Sequence, residues 1–355
     1  MLCIDEFFSL KSSWERLVLT DKPIYVYGMG DGCIKLMKQF ERFGIKIAGI
    51  FASDEFVRGH SFLDFKVQKL SEVEAQNDDF VIALAFAAGY KELIEKIDSI
   101  AKKHELIVPD TAVYGGEPFL KETLESSFDK ASVVYEHLSD EKSRSVFKSV
   151  VKYKITGDIS FLKSCETTPE EAYLNILKPS GDEVYVDLGA YTGDTVKEYL
   201  TFAKSYKRIY AVEPNGRNFR KLSEYMSTLD KAEAVNAAAT DTSGKVYFAK
   251  GGGRQARIDD KKGVLTDAIS VDSLLMGKPV DFIKYDVEGE EMKALKGSEQ
   301  TIKNYSPKLC VALYHKLYDM FDLPLEVLRL NPDYKLYIRH YPYYPAWETN
   351  LFAKI

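Results

Sequence analysis

Apolar and polar positions follow two periods along this chain. Short apolar runs bounded by glycine, proline or acids recur between longer stretches whose apolar residues fall three and four apart. The first pattern predicts buried strands and the second amphipathic helices. In the first third, IYVYG (24–28), IKIAGIFASD (45–54), FVIALAF (80–86) and ELIVPD (105–110) read as strands. CIKLMKQFERFG, ended by Gly44, and KELIEKIDSIAKK read as helices between them. This alternation predicts a small parallel sheet. Residues 122–177 read as helical, with a cap at Ser139 or Asp140 and apolar spacing at Val146, Phe147, Val150 and Val151.

From Glu183 the alternation resumes. Strands are expected at 183–187, 208–213, 232–237, 245–249, 280–286, 308–314, 334–341 and 347–353. Helices are expected to start near Thr192, Asn215, Glu290 and Pro324, the last as a first helical position. No long helix fits between Tyr341 and Trp347, so the final strands predict an antiparallel hairpin on the sheet edge. The chain therefore divides into 1–115, a smaller Rossmann-like α/β domain, 116–178, a helical connector, and 179–355, a larger, mostly parallel α/β domain.

The motif VYVDLGAYTGDTV (184–196) carries the most chemistry. An apolar strand ends in Asp187, and Gly189 and Gly193 form a turn before a helix. Glycines there let backbone approach a ligand. RIYAVEP ends in Glu213, about 20 residues further on, where nucleotide folds place a carboxylate on ribose hydroxyls. Dinucleotide folds favour G-x-G-x-x-G beneath a pyrophosphate. This pattern is D-x-G-x-x-x-G, and its acid would repel a pyrophosphate but suits a cationic aminoacyl group. S-adenosylmethionine has that group and a ribose. An ordinary strand–turn–helix corner is the competing reading.

The C-terminal half resembles the FkbM-type S-adenosylmethionine-dependent methyltransferases. The segments that carry the resemblance are VDLGAYTGDT (186–195), YAVEPNGRNFRKL (210–222), NAAATDTSG (236–244), VDSL (271–274), FIKYDVEGEEMKALKG (282–297) and LYHKLYDMFDLPL (313–325), with a tail at 334–354. The resemblance implies a seven-stranded methyltransferase sheet ending in a hairpin. It also draws Arg144 of the connector towards the cleft.

Ligands of open α/β sheets bind beyond the carboxyl ends of the strands. Asp187, with Gly189, Ala190, Tyr191 and Gly193, is expected to hold the methionine part of the donor. Glu213 is expected to accept the ribose hydroxyls, Asn215 to border the adenosine, and Asn236 and Ala237 to line the adenine. Asp286, at a strand tip two residues before Glu288, orients or deprotonates an acceptor hydroxyl, binds a divalent cation with Glu288, or makes a structural hydrogen bond. His315 is a general base or a structural histidine. No metal ligand is assigned. Arg254 and Arg257, in the glycine-rich stretch 249–263, are candidates to meet the acceptor, or belong to a plain solvated loop. His340 and Tyr341 are candidates to shape the acceptor pocket. In the first domain, GMGDG (28–32) is an imperfect nucleotide fingerprint, because Cys33 replaces its third glycine.

Composition narrows the rest. The 355 residues are 45% hydrophobic and 29% charged, as in globular proteins. A net charge of −6 argues against a broad nucleic-acid footprint. No apolar run is long enough to span a bilayer. Phe7, Phe8, Leu10, Trp14 and Leu17 suggest one amphipathic helix packed on the body. The four cysteines are scattered, which favours a reducing cytoplasm over disulfides or metal cages. Several of the 23 tyrosines cluster late, on a strand face or in a sugar pocket. The expected activity is O-methyl transfer to a sugar, nucleotide sugar or glycan in surface-polysaccharide or natural-product biosynthesis. An NAD(P)-dependent oxidoreductase and a nucleotide-sugar-binding scaffold stay open, as does a homodimer.

Overall fold

The computed structural model describes residues 1–248 and 263–355. Two α/β domains pack together through a helical connector. The first carries β1 (Ile24–Tyr27), β2 (Gly49–Ala52), β3 (Ser61–Phe62), β4 (Phe65–Lys69), β5 (Val81–Leu84) and β6 (Glu105–Ile107). Their order is β3-β4-β2-β1-β5-β6, parallel except for the β3–β4 pair. The β3–β4 ribbon and the helix Leu70–Gln76 have no counterpart in the sequence reading. They are too short and too polar to show a clear period.

The N-terminal helix is broken in two, Asp5–Phe8 and Ser13–Leu19. Ser12 and Glu15 form a reciprocal cap that restarts the chain between them. In the connector, Asp140 rather than Ser139 caps the helix Glu141–Thr156 by accepting from Ser143 N at 2.7 Å. That helix buries Val146, Phe147, Val150 and Val151 as its spacing required. It also buries Lys154, whose Nζ lies 2.9 Å from Asp110 of the first domain.

The larger domain contains β7 (Val184–Leu188), β8 (Arg208–Val212), β9 (Ala232–Val235), β10 (Ala238–Ala239), β11 (Gly244–Phe248), β12 (Val264–Ile269), β13 (Phe282–Tyr285), β14 (Lys308–Ala312), β15 (Lys335–His340) and β16 (Thr349–Lys354). Seven of them form one sheet, ordered β15-β16-β14-β13-β7-β8-β9. The run from β14 to β9 is parallel, and β16 is antiparallel to both β14 and β15. The terminal hairpin thus closes the edge as expected. A separate small sheet, β10-β12-β11, includes β12, which the sequence reading missed. The helix expected to begin at Pro324 begins at Asp319, with Pro324 inside it.

Side chains of β7 alternate with period two. Val184, Val186 and Leu188 join a core continuous with the connector and the first domain. Tyr185 turns to the other face, stacking on Tyr199 and Phe282 with ring centroids 4.3 and 4.9 Å away. The domains also meet through backbone. Ala88 and Tyr344 exchange hydrogen bonds, and Tyr114 N donates to His315 O at 2.9 Å. Carboxyl ends of β1, β5 and β6 therefore open on the same cleft as those of β7, β8, β13 and β14. The cleft measures about 960 Å³. No helix among the described residues is long and apolar enough to cross a membrane.

Candidate active site

The floor of the cleft is the turn after β7. Gly189 has φ 83°, and a Cβ there would meet Asp286 O at 1.8 Å, so only glycine lets the turn lie against the tip of β13. Asp187 lies below this turn rather than in the cleft wall. It is 0% exposed, accepts a short hydrogen bond from Thr195 Oγ1, and its Oδ1 lacks a hydrogen-bond partner among the described residues. Burial pushes its pKa up to about 6, against the pull of Lys284 and Thr195. The β7–β13 register pairs Asp187 with Lys284. Tyr191, Asp194, Thr195 and Glu198 line the wall beside it. Ala190 is buried, and Gly193 caps the helix Asp194–Ala203, so both shape the turn from outside the lining.

Glu213 stands at the end of β8 and lines the cleft at 6% exposure. Its Oε2 accepts from Tyr191 N at 3.0 Å and its Oε1 from Asn215 N at 2.8 Å. Burial dominates those bonds and raises its pKa to about 7. Asn215 caps the helix Gly216–Met226, accepting from Arg217 N and Asn218 N. Asn236 turns away from the cleft and donates to Glu213 O at 2.8 Å, bracing the β8 turn. Ala237 is buried beside it, while Ala238, Ala239 and Asn218 occupy the lining. Of this segment, Asn236 and Ala237, expected on the adenine side, thus lie outside the lining, and Ala238 and Ala239 lie in it.

Past β13 and β14 a charged cluster closes the far wall. Asp286 Oδ2 lies 3.0 Å from Lys284 Nζ, and its Oδ1 accepts from Tyr314 OH at 3.3 Å. Burial would raise its pKa, but Lys284 and His315 outweigh that and hold it below the usual value. Lys284 stays protonated, because Asp286 and Asp187 overcome its desolvation. His315 is 2% exposed. Its Nε2 lies 3.4 Å from Glu288 and 3.7 Å from Asp286, and its Nδ1 lies 3.0 Å from Glu291. Burial opposes charge on the ring, yet Glu291 and Glu288 hold its pKa well above 6.5. His315 is therefore a buried imidazolium near neutral pH. A charged ring suits an ion-pairing role better than that of a general base, and the neighbouring acids behind this lie at Glu288 and Glu291. The Glu288 pKa is raised by burial.

Asp286, Glu291 and His315 offer ligand atoms within 4.8 Å of one another. Glu291 Oε1, however, already accepts from Val287 N and Gly289 N, and the imidazolium supplies positive charge. The three residues form an ion-pair network, in which Glu291 Oε2 is buried without a hydrogen-bond partner among the described residues.

Other candidates fall elsewhere. Tyr341 lines the cleft. His340 does not: it is 0% exposed, its Nδ1 lies 3.0 Å from Thr349 Oγ1, and burial drives its pKa down to about 3. Arg144 turns to Glu141 and the Leu138 carbonyl, away from the cleft. Arg254 and Arg257 lie outside the described residues.

Residues 187–338, which contain this turn and both acidic tips, match the model of the Methyltransferase FkbM domain. Most of the C-terminal half of the chain is thus similar to the FkbM methyltransferase domain. The whole chain has the fold of the methyltransferase FkbM from Methylobacillus flagellatus KT, at 18% identity and a TM-score of 0.73, covering 97% of this chain and 94% of that one. That match includes the first domain and the connector. An rRNA methylase from Streptococcus thermophilus matches at 12% identity and a TM-score of 0.36, over 53% of this chain and 96% of that one. Aeropyrum pernix fibrillarin, solved with natively bound S-adenosyl-L-methionine, matches at 12% identity and 0.33, over 52% of this chain and 71% of that one. No curated protein matches the chain in sequence. The protein is a methyltransferase.

Proposed function

We propose that this methyltransferase uses S-adenosylmethionine to methylate a hydroxyl of a sugar, nucleotide sugar or glycan in surface-polysaccharide or natural-product biosynthesis. The observation that carries the reading is the placement of Glu213 and Asp286 on one cleft, at the tips of β8 and β13, which flank β7. Glu213 is fixed by two backbone N–H groups and keeps acceptor capacity for a vicinal diol. The turn Gly189–Gly193 brings backbone to the cleft floor, and acids surround the place where a cationic group would lie.

When bound, the donor supplies a methyl group activated by the positive sulfur. The residues of the chain must then position an acceptor oxygen and receive its proton. Asp286, held ionised by Lys284 and His315, accepts a hydrogen bond from the acceptor hydroxyl and aligns it. Glu288 has the raised pKa that suits a proton acceptor. His315 touches both carboxylates and keeps them apart and oriented, as a positioning residue. A reducing cytoplasm suits the four free cysteines.

The redox alternative finds no support at β1. Phe86 packs over Gly28, where a Cβ would lie 2.5 Å from the ring, and Asp31 opens the helix where a pyrophosphate would need bare N–H groups.

The test is direct. Calorimetry is expected to give saturable binding of S-adenosylmethionine to the parent and to Asp286→Ala, with methyl transfer to sugar acceptors lost only in the variant. Parental transfer rates in Asp286→Ala would remove that residue from the chemistry. Absence of donor binding to the parent would overturn the reading.

A further inference from the structure

Beyond Asp286 the cleft continues along a wall of aromatic rings. Tyr314, which donates to Asp286, lies 6.4 Å from Trp347 between ring centroids, with 17° between planes. Trp347 lies 5.9 Å from Tyr343 at 21°. Tyr343 in turn lies against Gly89 of the first domain, where a Cβ would meet its ring at 2.2 Å. All three rings are half-buried and line the cleft, and the paired hydrogen bonds of Ala88 with Tyr344 lock the wall to both domains. A rigid apolar surface thus leads to the carboxylate expected to align the acceptor hydroxyl.

The charge along the same cleft is one-sided. Asp31, Asp194, Glu198, Glu290 and Glu348 join Glu213, Asp286 and Glu288 in the lining. Besides His315, Lys35 and Lys284 are the only basic chains there among the described residues, and each faces an acid, Asp31 at 2.7 Å and Asp286 at 3.0 Å. A pyrophosphate would enter a field of its own sign with no unengaged cation in that lining to receive it. A pyranose fits both features. Its C–H faces pack on ring faces, and its hydroxyls donate to carboxylates and to Asn350 of the lining.

We infer that the acceptor is an uncharged pyranose unit, a glycoside or the end of a glycan, seated on the Tyr314–Trp347–Tyr343 wall, and not a nucleotide-diphosphate sugar. The inference rests on the methyl-transfer reading for the position of the reacting hydroxyl and narrows its acceptor class.

Trp347 makes the wall observable. The other tryptophan, Trp14, is buried at 3% exposure against Phe40 and Phe43 and is not part of the cleft lining. In the full chain carrying Trp14→Phe, emission comes from Trp347 alone. Titrations with the methyl glycosides of mannose, galactose and rhamnose, their nucleotide-diphosphate counterparts and 4-nitrophenol form the probe set, in the presence of S-adenosylhomocysteine. At least one neutral glycoside is expected to change the emission saturably and to bind more tightly than its nucleotide-diphosphate form. By calorimetry, Tyr343→Ala and Trp347→Leu are expected to weaken that glycoside about tenfold each, and Trp347→Phe far less. Tighter binding of the diphosphate form, equal binding of 4-nitrophenol, or unchanged affinity in both truncated variants would overturn the inference. Donor affinity is measured separately on the same proteins. Loss of donor binding in the parent defeats the methyl-transfer reading, whereas intact donor binding with no glycoside response defeats this one.

Discussion

Acids buried in and beneath the cleft titrate late, and that has a definite sign. Asp187 and Glu213 carry pKa values near 6 and 7, above the ordinary 3.8 and 4.5, because burial disfavours their charge. Between those limits the native protein retains protons that the unfolded chain has released. Stability of the ligand-free protein is therefore expected to fall as pH rises through that window. Glu213→Gln is expected to flatten the slope of Tm against pH; an unchanged slope would mean that Glu213 ionises as freely in the fold as outside it. A cationic donor reverses the preference, so its affinity is expected to rise with pH across the same range, by up to about tenfold per unit for each proton released. Glu213→Ala is expected to weaken donor binding by roughly 1 to 3 kcal/mol, read by calorimetry. Strand-tip logic made Asp187, Glu213 and Asp286 legible in the chain, since a carboxylate after an apolar run has one place to go. It could not foresee that Asn236 braces a turn or that His315 is ringed by acids, because those partners come from separate loops.

At the scale of elements, the β7 turn and the β13 tip act as one piece. Gly189→Ala forces a methyl group into the Asp286 carbonyl and is expected to cost about 3 kcal/mol or more, seen as a lowered chemical-denaturation midpoint. Retention of the parental midpoint would mean the two tips can separate. Parallel strands were readable because burial on both faces writes continuous apolar runs. The β3–β4 ribbon and β12 escaped because half-exposed strands carry weak periodicity. Pro324 misled through a local preference: the helix starts earlier at Asp319, whose Oδ2 accepts from Lys316 N at 2.7 Å. The break between the two N-terminal helices followed a polar cap that the apolar stripe does not report.

The whole molecule is held by contacts between distant stretches. Arg339 of β15, 2% exposed, lies 2.8 Å from Asp140 and 2.7 Å from Glu171 of the connector. Arg339→Ala leaves both acids without that partner and is expected to cost roughly 3 to 5 kcal/mol, measured by urea unfolding. One apolar core runs from Tyr25 and Ile82 of the first sheet through the connector to Val186 and Ile283 of the second. Emission of Trp14 and of Trp347 is therefore expected to report one shared unfolding midpoint; separated midpoints would show that the domains melt independently. The division into two sheets was visible in the chain, but their tip-to-tip meeting was not, because it depends on backbone bonds such as that of Tyr114 with His315. That meeting separates two tasks. The loops after β1 and β5 line the cleft on the side proposed for the acceptor and bear no part of the Gly189–Gly193 turn or the β8 tip. On the proposed reading, exchange of the short stretch Phe86–Tyr90 is expected to retune which molecule is modified while donor binding stays as it is. Diversification of this scaffold has an address.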